Sequence, residues 1–306
     1  MAISTQYPGV YAAMATPIGQ DGEVDPIGIK NVVDYLFENG ITGLSILGST
    51  GEGPSLTTAQ RQYALEATLE ATNGRGAVFT GAASSVVSEV IGSLRTVAGS
   101  GAQGALVPPP FYYRLDTDGI VGYYERIAEV SPVPIIIYNI PSMTKLQIPS
   151  EAVAQLIEHP NIMGLKDSGG DFGYFSTLAR IANGNAGFTL YTGSDAMLAS
   201  SLWVGGHGLI GGAVNVVPDV LCALYRAYQE GDTARAIRLQ GDVARAGAAM
   251  RVGTFPAPMK GQYALKGLCE RYTAAPIPPL TDVEMEQLRR QLTDAGVLRS
   301  LAAAGD

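Results

Sequence analysis

The chain has 306 residues, enough for two average domains or one closed α/β barrel, and its 46% apolar content supplies a sizeable core and argues against disorder. Charged residues make up only 16%, against roughly 25% in average soluble proteins, so much of the surface is expected to lie in subunit contacts. The net charge is −8 with no long basic run, which argues against nucleic acid or an anionic membrane as partner.

Met1 to Val10 has no basic region followed by an apolar run, so no signal peptide is predicted. No apolar stretch approaches the roughly 18 residues needed to span a bilayer, and the chain reads as cytoplasmic. Short β-branched runs then alternate with helical patterns. Strands are predicted at Val10–Thr16, Gly43–Gly48, Ala77–Ala82, Gly104–Pro108, Pro134–Ile140, Ile162–Asp167, Phe188–Thr192 and Gly208–Ala213. Several are nearly continuous apolar runs, as parallel strands covered on both faces should be. Helix starts stand between them: Asp25-Pro26, Thr58 (running to Glu70), Pro149-Ser150-Glu151 and Pro218-Asp219. Eight strand–helix pairs are used up near Glu230, and Asp232 to Asp306 carries no strand signal. The expected fold is α/β: a (β/α)₈ TIM barrel over residues 1–230 with a C-terminal helical extension over 231–306. A doubly wound open sheet is the rival, and the number of units favours the barrel. Many of the 38 glycines then fall in tight turns between strands and helices.

Barrel enzymes work at the C-terminal ends of their strands. The second strand ends in Gly48-Ser49-Thr50-Gly51-Glu52-Gly53, either a tight turn with solvent-facing hydroxyls or a nest of N–H groups suited to a carboxylate. The fifth ends in Tyr138-Asn139-Ile140-Pro141, where Tyr138 is a buried phenol or a proton carrier. The sixth ends in Leu165-Lys166-Asp167-Ser168, where Lys166 either snorkels to the rim, pairs with Asp167, or acts. Strands 5 and 6 are neighbours about 4.8 Å apart, so Tyr138 and Lys166 can face each other, with strand 2 across the ring. Burial there favours a neutral amine. A neutral amine attacks a ketone to form a Schiff base, and a phenol beside it can move protons. Together the parts suit a 2-keto acid.

Other motifs fail on context. Gly99-Ser100-Gly101-Ala102-Gln103-Gly104 matches a dinucleotide loop, but it follows a helix and precedes a strand, the reverse of the required order. Gly205-Gly206-His207-Gly208 has no basic companion for a phosphate and reads as close backbone packing, with His207 in the turn. Cys222 and Cys269 read as small buried hydrophobes.

The strand ends taken together resemble the dihydrodipicolinate synthase/N-acetylneuraminate lyase family of Schiff-base aldolases, through Gly48-Ser-Thr-Gly-Glu52, Tyr138-Asn-Ile-Pro141, Gly164-Leu-Lys-Asp167 and Pro110-Phe-Tyr-Tyr113. The resemblance implies a Schiff-base role for Lys166 and a proton-relaying role for Tyr138. It gives Ser49 and Thr50 the completion of the relay and, with Gly51, the pyruvyl carboxylate. Ile210 would line the pyruvyl pocket, and Tyr112 would be lent to a neighbouring subunit's site in a homotetramer. It implies pyruvate and an aldehyde as substrates, and no metal or organic cofactor. Met143 stands where dihydrodipicolinate synthases carry a carboxylate-gripping arginine, with Lys145 nearby. Ala196 stands where sialic-acid lyases carry a glutamate, and Gly212 and Ala213 where they carry hydroxyl residues. Ser168, Asp195 and Asn215 remain as readers of substrate hydroxyls. The expected activity is a lyase acting on a 2-keto-3-deoxy sugar acid or related 4-hydroxy-2-oxo acid, by cleavage, condensation or dehydration. The alternatives are dihydrodipicolinate synthesis from pyruvate and aspartate semialdehyde, a phosphate-binding barrel isomerase and a non-catalytic keto-acid sensor.

Overall fold

The computed structural model describes residues 7–298. Eight parallel strands close into a barrel in sequence order: β1 Gly9–Ala13, β2 Gly43–Ile46, β3 Ala77–Gly81, β4 Gly104–Val107, β5 Ile135–Asn139, β6 Ile162–Asp167, β7 Thr189–Thr192 and β8 Gly208–Gly211. The open-sheet rival is thereby removed, because β8 pairs with β1. The sixth strand has the predicted bounds and the others are shorter. The reason is local. Beyond β1, for example, Met14 N–H bonds to Ser45 O and Ala15 N–H to Asn215 Oδ1, so an apolar run leaves the ladder to build the rim.

The barrel helices are α1 Pro26–Glu38, α2 Thr58–Thr72, α3 Val87–Val97, α4 Thr117–Val130, α5 Pro141–Thr144, α6 Ser150–Leu156, α7 Phe172–Ala182, α8 Leu198–Trp203 and α9 Pro218–Gln229. Their starts follow side-chain chemistry. Asp25 accepts from Ile27 N–H ahead of Pro26, Asp116 caps α4 and Asp171 caps α7, while Thr57 and Gln60 form a reciprocal capping box on α2. Three more helices follow as the extension: α10 Thr233–Ala249, α11 Ala257–Leu265 and α12 Asp282–Asp294. No helix among the described residues is long and apolar enough to cross a membrane.

Aliphatic side chains fill the layer between sheet and helices. The barrel interior is different. Tyr11 packs on Phe79 with ring centres 5.1 Å apart and meets Tyr191 edge-on at 5.7 Å. Tyr191 donates to the carbonyl of Tyr7, just ahead of β1. These rings fill the N-terminal end of the barrel interior, so that among the described residues the interior opens toward the C-terminal mouth. A Cβ at Gly206 would come within 2.7 Å of Ser201 O, and one at Gly208, which opens β8, within 2.1 Å of Gly9 O, so these glycines serve close backbone packing. His207 Nδ1 accepts from Leu190 N–H in that turn. Cys222 is buried, whereas Cys269 is only half-buried and donates to Glu270 O.

Candidate active site

In the β5–β6 pair, Tyr138 stands opposite Lys166 and Asn139 opposite Asp167. Successive strand residues point to opposite faces, so Tyr138 and Lys166 face the barrel axis while Asn139 and Asp167 face the helix layer. Lys166 is 5% exposed, and its Nζ lies 4.3 Å from the centre of the Tyr138 ring. The pairing of Lys166 with Asp167 weighed from sequence does not form. Asp167 Oδ1 instead accepts from Asn139 Nδ2 at 2.7 Å and from Gly169 N–H at 3.0 Å. Asn139 Oδ1 accepts from Ile148 N–H, which ties the loop after β5 to this pair. Burial pushes the Asp167 carboxyl up, against the pull of those two hydrogen bonds.

Lys166 opens into a cavity of about 270 Å³ at the C-terminal mouth, together with Tyr138, Ser49, Thr50, Ser168 and Asp195. Ser49 and Thr50 come from the loop after β2, four strands around the ring from β6. Ile210 of β8 also lines the cavity. A Cβ at Gly193 would fall 1.9 Å from Ser168 Oγ and 2.9 Å from Lys166 Cε, so this position must be glycine for the lysine to lie as it does. Burial raises the Asp195 carboxyl to about 6, opposed by the N–H groups of Ala213 and Gly212 and by the charge of Lys166. Its Oδ1 is buried without a hydrogen-bond partner. A lysine beside a phenol, with hydroxyls across a small cavity and one carboxyl raised by burial, is equipped to bind a carbonyl and move protons around it.

Residues 6–295 match the dihydrodipicolinate synthetase family, nearly the whole chain. The chain belongs to this family. It is 32% identical to the 4-hydroxy-tetrahydrodipicolinate synthase of Methanoculleus marisnigri over 292 residues, covering 95% of this chain and 100% of the relative. It is 33% identical to the same-named protein of Methanosphaerula palustris over 276 residues, covering 90% and 94%. Its fold superposes with a TM-score of 0.92 on Escherichia coli K12 YagE, a prophage protein of the dihydrodipicolinic acid synthase family in complex with pyruvate, at 25% identity over 96% and 100% of the two chains. The Thermotoga maritima dihydrodipicolinate synthase gives 0.91 at 28% identity, covering 95% and 99%. As a member of the dihydrodipicolinate synthetase family the protein is a lyase of the Schiff-base aldolase class, a class that works on pyruvate and an aldehyde.

Within this family frame the remaining sequence candidates separate. Gly51, next to Thr50, is buried: its carbonyl accepts from Thr16 Oγ1 at 2.7 Å, and a Cβ there would strike Leu47 N and Met14 O. Tyr112 lies outside its own chain's cavity, 89% exposed with a left-handed φ of 99°, between exposed Phe111 and Tyr113. Asn215 is not available as a hydroxyl reader. It is buried and fully used, donating to Ala13 O and Gly212 O and accepting from Ala15 N–H and Tyr263 Oη. Met143 lines the cavity, whereas Lys145 is exposed and spends its Nζ on Ser142 O at 2.7 Å. Among the described residues no group of three or more His, Cys, Asp or Glu side chains could hold a metal.

Sequence reasoning missed what the extension contributes. Phe255, just before α11, and Met259 within it line the cavity. Lys260 forms an ion pair at 2.6 Å with Glu52, both fully buried, directly behind the Ser49–Thr50 loop. Glu52 also accepts from Ala274 N–H and holds a left-handed φ of 57°. Only the unusual charge of Lys260 in an apolar stretch hinted at this, and nothing along the chain pointed to its partner.

Proposed function

We propose that the enzyme cleaves or forms a 4-hydroxy-2-oxo acid through an imine on Lys166, with pyruvate as the keto partner and an aldehyde as the other. The observation that carries this reading is the buried Lys166 nitrogen over the Tyr138 ring, inside a closed-bottom cavity faced by Ser49 and Thr50. In cleavage, Nζ attacks the C2 carbonyl and water leaves, giving an iminium. Tyr138, backed by Thr50 and Ser49, takes the proton of the C4 hydroxyl. The C3–C4 bond breaks, its electron pair passes into the enamine, and the aldehyde departs. The enamine takes a proton at C3, and water releases pyruvate. Condensation runs the same steps backward; removal of a C3 proton from the intact iminium, with C3–C4 kept, would instead give an enamine that expels the C4 hydroxyl as water and make the enzyme a dehydratase. The Ser49–Thr50 loop receives the substrate carboxylate, and Ser168 and Asp195 read hydroxyls.

The exposed Phe111–Tyr112–Tyr113 turn supports a homotetramer in which Tyr112 enters a neighbour's site. The two free cysteines suit the reducing cytoplasm. A second reading, 4-hydroxy-tetrahydrodipicolinate synthesis, is favoured by the names of the relatives. Met143 in the arginine position and the outward Lys145 weigh against it.

The test is borohydride reduction in the presence of pyruvate, followed by peptide mapping. A stable adduct on Lys166 is expected, and no adduct at saturating pyruvate overturns the reading. Lys166→Ala should keep the fold and lose turnover. Tyr138→Phe should slow turnover by about 10²–10⁴-fold, the range for a general acid–base group. An adduct with no release of any aldehyde would mark a keto-acid sensor instead.

A further inference from the structure

We infer that the aldehyde partner carries an uncharged apolar group, aromatic or aliphatic, seated in a second chamber that opens directly from the Lys166 cavity. The inference rests on the Schiff-base reading and narrows its substrate.

This second chamber measures about 290 Å³ and shares Ser49, Tyr138, Ile140, Met143 and Phe255 with the first. A substrate held at Lys166 by its C2 carbon therefore directs whatever lies beyond C4 past Tyr138 into it. Most of the side chains that line this chamber alone are apolar, among them Leu47 after β2, Ala82 after β3, Leu106 of β4, Phe111, and Pro256 and Ile277 from the extension. These apolar side chains come from five separate parts of the chain and outnumber the polar ones, Glu52, Ser55 and Thr144. An apolar cavity of about 150 Å³ already holds benzene, so an aromatic ring fits with room to spare.

Charge decides between occupants. The single ionisable side chain on the walls besides the Tyr138 phenol is Glu52, whose carboxylate is already paired with Lys260. Among the described residues no arginine or lysine lines the second chamber. Thr144 lines it, but its hydroxyl is spent on Ile140 O and Leu146 O. Ser49 and Ser55 remain as hydroxyls. A carboxylate-bearing aldehyde would lose its water here and meet one buried acid, a large cost without a cation. A polyhydroxylated chain would leave most of its hydroxyls unpaired. An apolar group gains about 25 cal/mol for each Å² it takes from water. Met143 and Phe255, at the join of the two chambers, are therefore the residues that set the choice.

The experiment uses the full-length enzyme with pyruvate and four aldehydes: benzaldehyde, hexanal, glyceraldehyde and succinic semialdehyde, with kcat/KM measured for each. Benzaldehyde or hexanal should exceed both polar aldehydes by at least about 10²-fold. Met143→Arg should move the ratio of succinic semialdehyde to benzaldehyde upward by at least about tenfold, and Phe255→Ala should raise KM for the apolar aldehyde more than it lowers kcat. If the Lys166 adduct forms but glyceraldehyde or succinic semialdehyde is used as well as the apolar pair, the inference fails and the Schiff-base reading stands. Adduct formation with no turnover of either apolar aldehyde has the same meaning. If no adduct forms with pyruvate, both fall together.

Discussion

Burial raises the carboxyl of Asp195, on the cavity wall, to about 6. Below that pH it is a neutral donor, and above it a charged acceptor for a substrate hydroxyl. kcat/KM should therefore climb through about pH 6, and in Asp195→Asn that limb should flatten at the low level; an unchanged limb would remove Asp195 from substrate contact. Stability moves the other way. The folded carboxyl holds its proton up to about 6, while the unfolded one releases it near the ordinary 3.8. Folding stability from this group is thus lost as pH rises across that window, by an amount on the order of 2 to 3 kcal/mol. Denaturant midpoints of wild type and Asp195→Asn measured at pH 4.5 and 7.5 should diverge accordingly, the variant being relatively more stable at the higher pH. Lys166 was legible in the sequence because a charge ending an apolar strand is unusual. Gly193 was not, because the reason for it lies in Ser168 and Lys166 on the neighbouring strand.

At the scale of strands and loops, the outward pair Asn139–Asp167 locks β5 to β6 and anchors the following loop through Ile148. Its inward counterpart is Tyr138–Lys166, so the same register that buries one pair sets the spacing of the other. Asn139→Ala strips Asp167 Oδ1 and Ile148 N–H of a partner each. Leaving a buried group unsatisfied costs about 1–3 kcal/mol, so urea unfolding should show a loss of about 2 kcal/mol or more. Borohydride trapping on Lys166 should slow in the folded variant. A loss of stability with an unchanged trapping rate would show that the pair supports the fold alone. The strands themselves were readable as apolar runs, but their ends were not. Residues such as Thr16 carry strand-like side chains yet bond to the loops of the mouth, and β propensity does not distinguish the two settings.

Over the whole molecule, barrel and extension meet at the buried ion pair Glu52–Lys260, and the extension also closes both chambers through Phe255. Removing one partner of such a pair leaves an uncompensated buried charge, typically a loss of 3–5 kcal/mol. Glu52→Ala should lower unfolding free energy by about that much, Glu52→Gln by less, and the double variant Glu52→Gln/Lys260→Met should recover most of it. Equal losses in the single and double variants would mean the pair is not coupled. Closure of the barrel was foreseeable from eight strand–helix units in series. This contact was not, since it joins positions separated by most of the chain and obeys no local period. Its bearing on inheritance is direct. A hybrid that grafts the last third of a relative onto this barrel carries one half of a charge couple into a foreign interior, so functional exchange between lineages requires positions 52 and 260 to travel or change in concert.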